Sequence, residues 1–310
     1  MKKTLLFLMT LCLLIALPGC GGSSDTASTD TEPIPSDNTA PTDAFITVTP
    51  EITQLDPGFS AVRYDSDYAF DQFLEQGGAS SDQDVLKFLT GTLLHGVPGL
   101  RIDGNPFGCS TISVKNTEGG YYFGRNFDWQ TCDALVVTAY PKNGYASTST
   151  VNLGFIKQGA GFIANLLTDE MITIAALYAP LDGMNEKGLC VSVNMIQDRA
   201  TIQQNTDKPD ITTTTAVRLL LDKAANVEEA FDLLRQYDLH ASMNYMIHLA
   251  IADSEGNSVA VEYIDNKMVV IETPVLTNFY LAEGEKQGIG TQQSHTRFEI
   301  LTKPWRKTPP

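Results

Sequence analysis

The sequence predicts an α+β fold in which antiparallel sheets are covered by helices. Short apolar segments bounded by turn residues recur in two groups, one beginning near residue 110 and one after residue 246. Two amphipathic helical segments lie between the groups. The chain has 310 residues, 43% hydrophobic and 19% charged, which suits a sizeable core rather than disorder. Strands, a helical pair and further strands are the order expected when helices segregate to the faces of a sheet. No internal repeat is visible.

The elements follow in chain order. Lys2 and Lys3 precede an apolar run from Leu5 to Leu17, too short for a comfortable membrane span and laid out like a secretory signal. The run ends in Leu17-Pro18-Gly19-Cys20, which resembles the lipobox of bacterial lipoproteins. That resemblance implies cleavage after residue 19, acylation of Cys20, and an extracytoplasmic protein anchored in the cell membrane through lipid. Residues 20–47 are rich in Ser, Thr, Asp, Pro and Gly, and read as a flexible tether.

Residues 48–108 form an upstream segment or propeptide with one clear helix. Ser80 or Ser81 can cap it, Asp82 and Asp84 suit its first turn, and Val85, Leu86, Leu89 and Leu93 make an apolar stripe. Gly96 and Pro98 stop it, and an irregular loop runs from Arg101 to Gly108, open to a protease or to the chain's own chemistry.

Residues 109–310 carry a strand-rich texture and read as the main globular domain. Ser110–Val114 and Tyr121–Trp129 read as a hairpin around Asn116-Thr-Glu-Gly-Gly120. Further strands are expected at Ile172–Leu177, Leu189–Met195, Ile247–Ala252, Ser258–Ile264 and Met268–Glu272. Helices are expected over Thr215–Ala225 and Val227–Tyr237.

Twenty-one Lys and Arg stand against 37 Asp and Glu, a net charge of −16, with more than half of the excess ahead of residue 109. That balance excludes nucleic acid as a partner, since Lys and Arg must displace counterions from phosphates. It also disfavours adsorption to an anionic lipid surface by charge alone.

Beyond Cys12 in the signal and Cys20, three cysteines remain. Cys132 and Cys190 read as small buried hydrophobes or as a mutual disulfide. Cys109 differs because of its neighbours. Folding the hairpin about the Glu118–Gly119 midpoint sets Cys109 opposite Asp128, with Arg125 three residues before it. A thiol beside a cation has a lowered pKa and a reactive thiolate. His95, His240, His248 and His295 show no spacing that assigns a base to Cys109. Cutting the chain before Cys109 would supply one, because an α-amine titrates at about 7.7–8.0. Gly108 permits close approach of backbone to thiol.

The stretch from Cys109 to Trp129, with Arg125 sixteen residues after the cysteine and Asp128 three further on, resembles the start of the catalytic chain in the choloylglycine hydrolase family. These N-terminal-nucleophile (Ntn) linear amide hydrolases include bile salt hydrolases and penicillin V acylases, and are related to the acid ceramidase and N-acylethanolamine acid amidase branch. Asp182-Gly-Met-Asn-Glu-Lys-Gly-Leu189 resembles the segment ahead of the family's oxyanion-hole asparagine, a role that falls on Asn194 at a spacing one residue shorter than in bile salt hydrolases. Leu276-Thr-Asn278 is similar to a second active-site asparagine motif, and Ser294-His-Thr-Arg-Phe298 to the segment with a distal arginine, Arg297.

The resemblance implies an αββα sandwich and autocatalytic removal of the segment before Cys109. The thiolate of Cys109 would attack a linear amide, and the α-ammonium would protonate the departing amine. Asp128 would orient the amine, Arg125 and Arg297 would set the local field, and Asn194 and Asn278 would stabilise the oxyanion or hold the substrate. No metal or cofactor is implied. The substrate is a small N-acylated amide such as a conjugated bile salt, penicillin V or a fatty-acyl amide. Phe127, Trp129 and Tyr121 to Phe123 either line an apolar acyl pocket or pack as core aromatics.

Family members usually continue past the point where this sequence ends, about thirteen residues after Arg297, which adds the hypothesis of a truncated or divergent copy of weak or absent activity. The alternatives are an inactive lipoprotein that binds acylated ligands on the same scaffold, and a His-dependent cysteine peptidase. The sequence leaves the oligomeric state open.

Overall fold

The computed structural model describes residues 49–93, 108–129, 132–160, 167–283 and 289–303. The signal segment, Cys20, the tether, the Gly96/Pro98 stop, residues 101–107 of the loop and the chain end past residue 303 lie outside the described residues. Among the described residues no helix is long and apolar enough to cross a membrane.

The upstream segment holds more than one helix. It opens with a hairpin, β1 (Thr53–Asp56) and β2 (Phe59–Tyr64), and continues with α1 (Phe70–Glu75) and α2 (Asp82–Phe88). Ser81 caps α2 by accepting the Asp84 N–H at 3.2 Å, and Val85, Leu86 and Leu89 are buried as the stripe required, while Leu93 ends a π turn over residues 89–93.

The region from residue 108 onward begins with β3 (Gly108–Lys115), β4 (Tyr121–Asp128), β5 (Ala134–Ala139) and β6 (Ser147–Asn152). Helices α3 (Leu153–Ala160) and α4 (Asp169–Leu177) come next, followed by β7 (Asp182–Asn185), β8 (Cys190–Met195) and β9 (Asp210–Thr212). Then come α5 (Thr213–Lys223), α6 (Val227–Leu234), β10 (Asp238–His240), β11 (Ile247–Ala252), β12 (Ser258–Ile264), β13 (Lys267–Glu272), β14 (Val275–Leu276) and α7 (Gln292–Thr302).

Nine strands form one sheet in the order β1-β2-β5-β6-β7-β8-β11-β12-β13, antiparallel except for the β2–β5 pair. Three strands, β14-β3-β4, form a second antiparallel sheet, and β9 and β10 make a short parallel pair. The small sheet faces the large one across Thr111, whose hydroxyl lies 3.0 Å from that of Ser192 in β8. Helices α4 and α5 pack on the far face of the large sheet and α7 on the far side of the small one, giving four layers, α-β-β-α. The main core lies between the large sheet and its helices, with Leu177, Val191, Leu220 and Leu249 wholly buried. The α+β class and its layering therefore match the expectation.

Three expectations need correction. Ile172–Leu177 is not a strand but the body of α4. Thr168 accepts the Met171 N–H at 3.3 Å, and Asp169 and Glu170 occupy the first turn, where carboxylates favour the helix N-terminus. The hairpin register is shifted by one, so Cys109 pairs with Phe127, and Asp128 stands opposite Gly108. Asn116 causes the shift: its Oδ1 accepts the Glu118 and Gly120 N–H groups, and Gly119 takes a positive φ of 97°. The turn thus closes Asn116 on Gly120 rather than on Tyr121. Finally, Cys132 is exposed, and Cys109, Cys132 and Cys190 are all free thiols.

The upstream segment is built into the large sheet. Six residues of β2 pair with β5, from Phe59↔Ala134 to Tyr64↔Ala139. Beyond β2, the Tyr68 hydroxyl donates to buried Asp222 at 2.7 Å. Asp222 also accepts from Arg218, a wholly buried guanidinium that donates to the Leu177 carbonyl and to the Ser147 and Ser149 hydroxyls. Tyr68, Phe70 and Phe73 each pack against Tyr178, whose hydroxyl donates to the Tyr68 carbonyl at 2.8 Å.

Candidate active site

Cys109 is the second residue of β3. Alternation along the strand turns Cys109, Thr111 and Ser113 into the space between the sheets, and Cys109 is wholly buried. Its register partner Phe127 and the diagonal neighbour Arg125 share that face. Arg125 Nη2 lies 3.8 Å from the Cys109 sulfur and 3.0 Å from the Val193 carbonyl. Its Nη1 donates to Asp182 Oδ2 at 2.7 Å, and its guanidinium lies 4.6 Å from the centre of the Phe127 ring. Asp182 also accepts from the Thr150 hydroxyl. Burial pushes the Cys109 thiol pKa up, Arg125 pulls it down, and the net shift is upward. In the uncut chain the thiol is therefore held as S–H.

The main chain of Cys109 is held as closely as its sulfur. β14 pairs Leu276 with Thr111, and continuing that register two residues brings Asn278 beside Cys109. Asn278 Oδ1 accepts the Cys109 N–H at 2.7 Å, and its Nδ2 donates to the Met195 carbonyl at 2.7 Å. Arg297 arrives from α7, whose first turn is capped by Thr291 accepting the Ser294 N–H at 3.2 Å. One helical turn separates Ser294 from Arg297, so both face the small sheet. Arg297 Nη2 donates to Asn278 Oδ1 at 2.9 Å, and Nη1 donates to the Cys109 carbonyl and to the Ser110 hydroxyl. Asp128, half exposed, lies 4.0 Å from Arg297 and accepts from Asn126 Nδ2 at 2.7 Å. A Cβ on Gly108 would come within 2.9 Å of the Asp128 carboxylate, so a side chain there would push the half-exposed Asp128 aside.

Five of the six expected site residues thus surround the Gly108–Cys109 peptide. The sixth, Asn194, sits one residue pair along, behind Thr111. Its Oδ1 accepts the Thr111 hydroxyl at 3.1 Å, and its Nδ2 donates to the Leu276 and Thr277 carbonyls at 3.3 Å each. In this state both Asn194 amide protons are engaged by backbone. Sequence reasoning missed Asp182 as the partner of Arg125. The Asp182-Gly motif was visible, but its pairing needs the β7–β8 register, which sets Asp182 beside Ser192.

A cavity of about 790 Å³ opens beside the site. Arg125 and Phe127 line it, together with Tyr121, Tyr122, Phe123, Leu181 and Met184. Cys132 and Cys190 also line it, and burial pushes the Cys190 thiol up to about 11. Of the alternatives for the aromatics, Tyr121–Phe123 and Phe127 line this cavity, while Trp129 stacks on Phe127 and meets Phe155 edge-on. Among the described residues no group of His, Cys, Asp and Glu could hold a metal ion.

Residues 109–279 match the family model for linear amide C–N hydrolases of the choloylglycine hydrolase family. The chain belongs to that family. The match begins at Cys109 and covers more than half of the 310 residues. Among curated relatives, a penicillin V acylase of Pectobacterium atrosepticum is 30% identical over 99 residues, which are 29% of this chain and 26% of that protein. The aligned part thus spans about a quarter of the relative's length. Among solved structures, a mutant conjugated bile acid hydrolase from Clostridium perfringens is 21% identical with a TM-score of 0.41, covering 55% of this chain and 53% of that one. A Caenorhabditis elegans N-acylethanolamine-hydrolyzing acid amidase ortholog is 15% identical with a TM-score of 0.37, covering 61% and 73%.

Proposed function

We propose that the protein is a cysteine amidohydrolase that cuts itself before Cys109 and then hydrolyses a linear amide of a small N-acylated molecule. The observation that carries this reading is the hold on the Cys109 nitrogen. Asn278 Oδ1, with Arg297 on the same oxygen, already accepts the N–H that would become the α-amine. The sulfur stands beside Arg125, with the Asp128 carboxylate on the Gly108 side.

The chemistry follows from those positions. In the first event the Cys109 thiol adds to the Gly108 carbonyl and the peptide nitrogen leaves as an amine, forming a thioester. Water then releases the Gly108 carboxylate and regenerates the thiol. In turnover the free α-amine takes the thiol proton, the thiolate adds to the substrate carbonyl, and the α-ammonium returns its proton to the departing amine. Water hydrolyses the acyl-enzyme thioester. Arg125 favours the thiolate, while Arg297 and Asn278 hold the backbone and amine of residue 109. The acyl group is assigned to the apolar cavity walled by Phe127 and Tyr121–Phe123, which suits a conjugated bile salt, penicillin V or a fatty-acyl amide.

Two further parts belong to the proposal. The upstream segment stays bound after the cut, because β2 is a strand of the large sheet and Tyr68 is bonded to Asp222. Lipid on Cys20 anchors the mature protein outside the cytoplasm. Intact-mass analysis of the purified chain tests the self-cutting, with Cys109→Ala expected to leave it uncut and inactive. Hydrolysis of a panel of N-acyl amides then identifies the substrate. The competing binder, a scaffold with an inert thiol, predicts instead an uncut chain that binds acylated ligands and does not turn over.

A further inference from the structure

A buried His–Glu pair behind Asn278 takes no part in the chemistry above. The β11–β12 ladder pairs Leu249 with Val261, and one step further sets His248 directly opposite Glu262. Both side chains are wholly buried. His248 Nδ1 lies 3.1 Å from Glu262 Oε1, and Nε2 lies 3.0 Å from the Thr277 carbonyl oxygen. A carbonyl has no proton to give, so Nε2 carries the hydrogen of that bond. Glu262 meanwhile accepts the Leu281 N–H on Oε1 at 2.7 Å and the Ala282 N–H on Oε2 at 2.9 Å. Burial raises the Glu262 carboxyl pKa, but the His248 bond and charge and these two amides outweigh it and hold it below the ordinary value. Glu262 is therefore an ionised acceptor facing Nδ1, and His248 bridges Glu262 and the Thr277 carbonyl.

Burying an ionised carboxylate is costly, and replacing such a buried pair by apolar residues is often neutral or stabilising. What the pair accomplishes is geometric. His248 fixes the carbonyl of the residue just before Asn278, and Asn194 Nδ2 reaches the same oxygen. Glu262 fixes the N–H groups of the third and fourth residues after Asn278. The arc from Asn278 to Tyr280 hangs between those anchors, and from it Asn278 reaches the Cys109 nitrogen, Arg297 and the Met195 carbonyl.

We infer that His248 and Glu262 are positioning residues that clamp both ends of the 278–280 arc and so hold Asn278 against Cys109. Neither approaches the reacting atoms; each acts through backbone. The kinetic arm of the test rests on the amide-hydrolase reading, and the spectroscopic arm does not. For the first, kcat and KM are measured for the full-length wild type, Glu262→Gln and His248→Gln on an N-acyl amide that the wild type hydrolyses. A misplaced Asn278 lowers kcat by roughly ten- to a hundredfold with KM within about twofold, since an error near 1 Å in a site costs up to about a hundredfold. Variants that unfold cooperatively and keep wild-type kcat overturn the clamp.

The second arm uses ¹⁵N-histidine NMR on the wild type, with His248 assigned by the loss of its signals in His248→Gln or, if that variant does not fold, by through-bond transfer. A slowly exchanging Nε2–H on His248 is expected, together with protected amides at Leu281 and Ala282. A His248 ring with no proton on Nε2, or unprotected amides, overturns the inference even if the variants do not fold. A wild type that hydrolyses no amide defeats the amide-hydrolase reading instead, and leaves the clamp to be decided by the NMR result.

Discussion

Replacing Arg125 with Gln tests how much of the Cys109 reactivity the guanidinium supplies. Nη2 stands 3.8 Å from the sulfur, and the Arg125 side chain is 8% exposed. A full positive charge at that distance favours a thiolate by about 4 kcal/mol at an effective dielectric constant near 20. Asp182, bonded to Nη1 at 2.7 Å, stays in both proteins, so its field does not enter the difference; the cavity that Arg125 lines raises the effective dielectric constant, and a value of about 40 leaves about 2 kcal/mol. That is roughly a thirtyfold change in thiolate fraction at fixed pH, since each 1.36 kcal/mol is about a factor of ten. Gln removes the charge and, with it, the bond to Asp182. The assay is alkylation of Cys109 by iodoacetamide as a function of pH, read by peptide mass, with buried Cys190 as the internal reference. The apparent pKa of Cys109 should rise by about one and a half in Arg125→Gln, while that of Cys190 stays put. Superimposable pH profiles for Cys109 in the two proteins would refute the electrostatic role.

Two further outcomes are expected. Tyr68→Phe deletes the 2.7 Å bond to the buried Asp222 carboxylate and should cost about 2 kcal/mol, seen as a lowered denaturant midpoint, because bonds to charged buried groups contribute about 1.5–3 kcal/mol; the same change should loosen the upstream segment in the cut protein, seen as its loss on size-exclusion chromatography. Glu262 titrates below its ordinary value of 4.5, so its stabilisation is present above about that pH and is lost as pH falls through the folded value; the stability gap between wild type and Glu262→Gln should shrink steadily on acidification below pH 4.5, and a gap independent of pH would contradict the ionised carboxylate.

The sequence made the strands after residue 246 legible because each is a short, mostly apolar run that ends in a strong turn. Ile247–Ala252 and Ser258–Ile264 coincide with β11 and β12 to the residue. Ile172–Leu177 was not legible, because a short apolar run buried in the core looks alike as strand or helix, and only the Thr168 cap with Asp169 and Glu170 separates them. The upstream hairpin was hidden for a related reason: β1 is mostly exposed and carries little pattern, and β2 gains its place from pairing with β5, seventy-odd residues away.

At the site, the Cys109, Arg125 and Asp128 intervals picked out residues that the structure brings together, although the register differs by one. In the observed register Cys109, Arg125 and Phe127 share a face, whereas Asp128 stands on the Gly108 side. The partners that sequence could not supply, Asp182 for Arg125 and Glu262 for His248, are set by strand register across the large sheet. His248 was visible in its strand, but nothing local gave it a partner.

The central claim is that Cys109 becomes the first residue of the working enzyme. N-terminal sequencing and intact mass of the purified, active protein test it most directly. The account predicts a fragment beginning at Cys109 that remains associated with the upstream segment until denatured. A protein that hydrolyses N-acyl amides at full rate with the Gly108–Cys109 bond intact would contradict it.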